Sequence, residues 1–155
     1  MCSKTYFLEK AMDISHEYTH FSWIDLGILH IIKDSEIEVF GKSLLKIKDY
    51  RDSFIRFPGC PNNNDYYNKN KWLLETTQFR NSICWVFFGG FLCGSRESLK
   101  IFTKEVFDFF TRFETEKYIM WEVNVWADIY YKKCMSICRP YFVRTHNIEM
   151  LSLFC

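Results

Sequence analysis

The residue whose type and place could do chemistry is Asp25, in Phe21-Ser22-Trp23-Ile24-Asp25-Leu26-Gly27-Ile28-Leu29-His30. Phe21 and Trp23 would point to one face and Ser22 and Ile24 to the other, the alternation of a strand. An unpaired carboxylate is too costly to desolvate in the middle of a buried strand. At the carboxyl end it can meet a ligand, a cation or water, and that end is where open α/β sheets bind ligands. Gly27 leaves room for a group to approach the backbone. An Asp that caps a turn after a strand answers the same pattern, and the turn rule favours it. A second acid, Glu122, lies in Met120-Trp121-Glu122-Val123-Asn124-Val125-Trp126-Ala127-Asp128. A helix is expected to open there and run to about Lys133, with Glu122 in the first turn, where the dipole favours an anion. Steps of about 100° put Trp121, Asn124 and Asp128 on one face, and Glu122 with Trp126 and Ile129 on another. A carboxylate against indole is one route to a raised pKa and to general acid or base work. A helix-start Glu beside core tryptophans fits equally well.

His30 stands in an apolar run and reads as a packed core histidine in preference to a ligand or base. The seven cysteines are odd in number and include no CxxC pair, which suits reduced thiols in a cytoplasmic protein. Cys134 and Cys138 are four apart and would share a helix face. A zinc site there would need two more ligands, with His146 the nearest candidate, and structural zinc wants four.

These residues need elements to hold them. Residues 5–15 read as a helix with Phe7, Leu8, Ala11 and Met12 on its apolar face. Residues 21–25 are expected to form a central strand, with Asp25 within one side-chain reach of Gly89-Gly90. Residues 36–40 alternate, with Ile37 and Val39 on one side, and predict a strand that Gly41 turns. Residues 44–47 and 53–57 predict two more, the latter with Ile55 and Phe57 on one face and Arg56 on the other. Residues 58–71, rich in Pro, Gly and Asn, predict a loop, a surface excursion or a lid, and the least ordered interior segment. Residues 83–88 form an apolar run ended by Gly89-Gly90, either a bulge or turn, or a close approach of backbone to substrate. Neither GxGxxG nor GxxxxGK[ST] is present, so this is no phosphate-binding loop. Phe91-Leu92-Cys93 continues the run, and Ser95 is a good N-cap. The helix after it carries Leu99, Phe102, Val106, Phe109, Phe110 and Phe113 at steps of three and four. Residues 139–143 suggest a short strand before a frayed tail in which His146 and Asn147 could reach a site. Helix followed by strand predicts an α/β protein, a mixed sheet with helices packed on it.

At 155 residues, 48% hydrophobic and 25% charged, the chain suits one globular domain. Aromatic residues make up 19%, enough for a thick core, a stacking surface or a face for a partner. Twenty Lys and Arg against 19 Asp and Glu leave +1, which disfavours a nucleic-acid module, since phosphate binding leaves a basic excess or stripe. The longest near-apolar run, residues 83–94, is too short to span a bilayer.

Taken together, Ser3-Lys4-Thr5-Tyr6-Phe7-Leu8 before Phe21-Ser22-Trp23-Ile24-Asp25-Leu26-Gly27-Ile28, then Phe88-Gly89-Gly90-Phe91-Leu92-Cys93-Gly94-Ser95, then Trp121-Glu122-Val123-Asn124-Val125-Trp126, resemble the HtrL/YibB-like family. That family is similar to the GT-A-type nucleotide-sugar glycosyltransferases, and the resemblance covers roughly residues 3–147. It implies a partial GT-A-like (nucleotide-diphospho-sugar transferase) fold that transfers a sugar from a nucleotide-sugar to a sugar or glycan acceptor. On that footing Asp25, Gly27, Gly89, Gly90 and Trp121 bind substrate, and Glu122 and Asn124 face the reacting sugar as catalytic residues. A divalent cation, Mn or Mg, would fall to Asp25 and His146. The usual acidic pair is Asp-x-Asp, and here Gly27 takes its second position. The resemblance also implies a nucleotide-binding half before residue 1, which makes this chain the carboxyl-side portion of a longer domain. A non-catalytic remnant or protein-interaction module with the same fold is the alternative. In either case self-association through exposed aromatic surface is expected.

Overall fold

The alternation read in Phe21 to Ile24 is a strand, and it sorts the molecule into two faces. The computed structural model describes residues 3–59, 83, 86–114, 120–144 and 148–154. Strand β1 (His20–Ile24) runs antiparallel to β3 (Phe91–Ser95), with Ser22 opposite Cys93 and Trp23 opposite Leu92. On the other side of β3, Arg56 and Cys93 exchange backbone hydrogen bonds of 2.7 and 3.2 Å. The segment containing Arg56 ends in β2 (Pro58–Gly59), which pairs in parallel with β4 (Tyr141–Phe142). Backbone bonds from Ile55 to Ile137, Arg139 to Ile55, Tyr141 to Phe57 and Val143 to Gly59 lengthen that ladder. The spatial order is therefore β1, β3, residues 55–59, then β4, antiparallel at first and parallel at the end.

One face of this surface carries Phe21, Trp23, Ile55, Phe57 and Leu92. It packs on Leu8 and Met12 of α1 (Ser3–Ile14), Leu99, Phe102 and Val106 of α3 (Arg96–Glu114), and Val125, Trp126 and Ile129 of α4 (Glu122–Ile129). The other face carries Ile24, Phe91, Cys93 and Val143. It meets Phe40 of α2 (Ile37–Ile47) and Met150, Leu151 and Phe154 of the 3-10 stretch Ile148–Phe154. Strands with apolar side chains on both faces need cover on both. The fold is thus a mixture of helices and small sheets, with helices on each side.

Several expectations hold. Ser95 caps α3, its hydroxyl accepting the Ser98 N–H at 3.3 Å. Ile55 and Phe57 are buried while Arg56 is partly open. Others are corrected. Residues 36–40 and 44–47 are not strands. They belong to the 3-10 turn Asp34–Glu36 and to α2, which buries Phe40 and Ser43 and leaves Ile37 and Val39 exposed. The two-residue alternation was too short to outweigh the helical period of the eleven-residue segment, and Gly41 lies inside that helix. His30 is exposed, because the 3-10 turn Leu26–His30 buries only Ile28. The tail is no frayed end: Met150 and Leu151 are fully buried, since the second face of the sheet needs apolar cover. Strand β1 is not central either, having β3 as its one strand neighbour among the described residues. The expected loop does not begin at Pro58, since Pro58 and Gly59 are buried in β2, and its residues 60–71, with Cys84 and Trp85, lie outside the described residues.

Candidate functional site

Helix α1 opens with Ser3-Lys4-Thr5 and has no acidic residue in its first turn, so its leading N–H groups need a partner from elsewhere. Glu122 supplies it. Its Oε1 accepts the Thr5 N–H at 2.9 Å and the Thr5 hydroxyl at 2.6 Å, and its Oε2 accepts the Lys4 N–H at 3.4 Å. Trp126 Nε1 donates to the same Thr5 hydroxyl at 3.3 Å, so Glu122 and Trp126 do share a face, joined through Thr5. At the other end of α1 the Arg96 guanidinium donates to the carbonyls of Met12, Ser15 and Tyr18 and lies 4.9 Å over the Phe21 ring. An acid thus sits at the helix N-terminus and a cation at its C-terminus, the pairing that the helix dipole favours.

The same first turn carries Lys4 into the bend after β1. Lys4 Nζ donates to Asp25 Oδ2 at 3.0 Å and to the Gly89 carbonyl at 2.8 Å. Asp25 Oδ1 accepts the Gly27 N–H at 3.1 Å, capping the turn Leu26–His30. The Asp25 N–H donates to the Gly90 carbonyl at 2.9 Å. A Cβ on Gly89 would stand 2.9 Å from both Lys4 Nζ and Val123 Cγ1, so the missing side chain makes room for the ammonium. The cluster reaches the surface, with the Lys4 side chain 22% and the Asp25 side chain 40% exposed.

The fold therefore brings Asp25, Gly27, Gly89, Gly90 and Glu122 together at one end of α1. Asn124 is fully buried in α4. Trp121 is 54% exposed and does not share the buried face of Asn124 and Asp128. Its backbone, at φ −63° and ψ 132°, is extended and precedes the helix, so helical spacing does not apply to it. His146 lies outside the described residues. Lys4 and Thr5, the hub of the cluster, were not singled out from the sequence as site residues. Their signal was a helix start with no acid of its own.

The expected divalent cation does not fit what surrounds Asp25, since one carboxylate oxygen faces the Lys4 ammonium and the other a backbone N–H. A cation placed there would meet that positive charge directly. Among the described residues no group of three His, Cys, Asp or Glu side chains is placed to hold a metal ion. Cys134 and Cys138 are free thiols inside the core. Burial pushes the Cys134 thiol up to about 11 and raises Cys93 and Cys138 further, which leaves them protonated and poor nucleophiles. Beside β1, a cavity of about 120 Å³ is lined by residues including His20, Tyr50 and Cys93. Burial also raises the Tyr50 phenol, reinforced by Cys93 and Asp52. Among the described residues no helix is long and apolar enough to cross a membrane.

Comparison with protein-family models, with curated proteins and with solved structures gave no match.

Proposed function

We propose that the chain is a glycosyltransferase-like domain that holds a nucleotide-sugar at the amino end of α1. One observation carries this reading: stretches far apart in sequence, around Lys4, Asp25, Gly89 and Glu122, meet in one hydrogen-bonded cluster that opens to solvent. In sugar transfer an acceptor hydroxyl oxygen attacks the anomeric carbon and gives up its proton to water, the bond to the diphosphate breaks, and the diphosphate leaves with added negative charge. A fixed cation at the leaving oxygen stabilises that charge. Lys4 is the cation available, aimed by Asp25 and the Gly89 carbonyl, and it takes the part first expected of a metal ion. Glu122 is then a positioning residue: it fixes the first turn of α1 and through it Lys4. The exposed indole of Trp121 offers a face for stacking a base or sugar ring.

A second reading is favoured by the same bonds. The Glu122 oxygens and those of Asp25 already accept internal donors, which suits a non-catalytic interaction module. Calorimetric titration with UDP-, GDP- and ADP-sugars, with and without EDTA, separates the two. The glycosyltransferase reading expects binding of one donor, unchanged by EDTA and weakened at least about tenfold in Lys4→Ala, the loss of one charge-assisted bond. No binding of any donor would favour the interaction module.

A further inference from the structure

We infer that the outer edge of β1 is the docking edge for a second copy of this chain. The Arg96 N–H donates to the Thr19 carbonyl and the Asp25 N–H to the Gly90 carbonyl. With the register between β1 and β3, antiparallel geometry then turns the backbone groups of Phe21 and Trp23 toward β3 and those of His20, Ser22 and Ile24 outward. On that outer side no strand pairs with β1 among the described residues, and those outward groups make no backbone hydrogen bond there. Edges of this kind are usually blunted by Lys, Pro, an inward charge or a bulge. His20-Phe21-Ser22-Trp23-Ile24 has no Pro and no Lys, Arg, Asp or Glu, and its pairing with β3 runs without a bulge.

The occupant follows from symmetry. The outward positions 20, 22 and 24 are centred on Ser22, whose side chain is exposed. A two-fold axis at Ser22 sets that residue opposite its own mate and His20 opposite Ile24. The outward set of one copy then meets the same set of the other, as an isologous contact requires. No formal charges face each other across the five-residue strand. Phe7, 55% exposed and stacked on Trp23 with ring centroids 6.2 Å apart, flanks the strand and adds apolar surface to cover.

Sedimentation velocity on the full chain, from about 1 to about 200 µM, should show a monomer giving way to a dimer by mass action. Amide exchange should show protection of His20, Ser22 and Ile24 that rises with concentration, with that of Phe21 and Trp23 constant. Ser22→Pro removes an outward N–H and leaves the β3 ladder whole, an edge position where Pro is tolerated. It should weaken the dimer at least about tenfold with unchanged circular dichroism. If that variant fails to fold, Ser22→Lys, which places a charge against its own mate, should do the same. A monomer throughout the range, a dimer equally tight in the folded variants, or protection at His20, Ser22 and Ile24 that ignores concentration would overturn the inference.

Discussion

Glu122 bonds three donors of one helix turn, and removing it leaves Thr5, which is fully buried, with unmet hydrogen-bonding groups. Glu122→Ala should therefore cost about 1–3 kcal/mol, as for a lost cap with a buried orphan. Thermal denaturation should show a lower Tm, with Glu122→Gln recovering part of the loss because its amide oxygen still accepts. An unchanged Tm in Glu122→Ala would contradict the capping role. The thiols carry a pH dependence whose sign is fixed by burial. A thiol whose folded pKa is raised contributes fully below its unfolded pKa, because both states are then protonated. Above it the unfolded state ionises first and stability falls. For Cys134 the window runs from about 9 to about 11, so Tm should drop across it. Below it, mass mapping should find Cys134 unalkylated in the native protein and modified once it unfolds. Of these residues, the nearness of Asp25 to Gly90 was legible from the strand-end pattern. The partner of Glu122 was not, since it lies 117 residues away at Thr5 and no local spacing links them.

Helix α2 and strand β2 show what glycine does in opposite settings. A Cβ on Gly41 would meet nothing within 4 Å, so Gly41 only adds backbone entropy to the unfolded chain. Gly41→Ala should stabilise the protein by about 0.5–1 kcal/mol, read as a rise in Tm. A Cβ on Gly59 would stand 2.1 Å from the Val86 carbonyl oxygen, where backbone must move. Gly59→Ala should destabilise by about 3 kcal/mol or more, read from the denaturant midpoint. Helix α3 was legible because its apolar period persists over nineteen residues. Helix α2 was not, because Ile37 and Val39 mimic a strand while pointing to solvent. The facing of Ile55, Arg56 and Phe57 was read correctly, but the strand was not, since Ile55 and Arg56 make only isolated bridges and the strand is Pro58–Gly59, and their neighbours could not be read. Arg56 pairs with Cys93 and Ile55 with Cys138, and such pairings depend on topology that a local pattern does not carry.

At the scale of the whole molecule, mixed helix and strand with helices around a sheet was legible from the order of elements. The edge position of β1 and the buried tail were not, because both depend on which face of the sheet lacks cover. Helix α1 adds a constraint in time. Its two ends are held by Arg96 and Glu122, and besides Phe21 and Trp23 the cluster around its buried side chains comes from residue 55 onward. A twelve-residue helix is marginal alone in water. As the chain leaves the ribosome, residues 3–14 therefore cannot settle until residue 122 has emerged. Of the described helices, the one made earliest is among the last to become stable, and folding waits on contacts of high sequence separation. Once closed, the same two latches suppress fraying. The amides at both ends of α1 should then exchange only with global opening, at the same free energy as those of β3, and not early as helix ends commonly do.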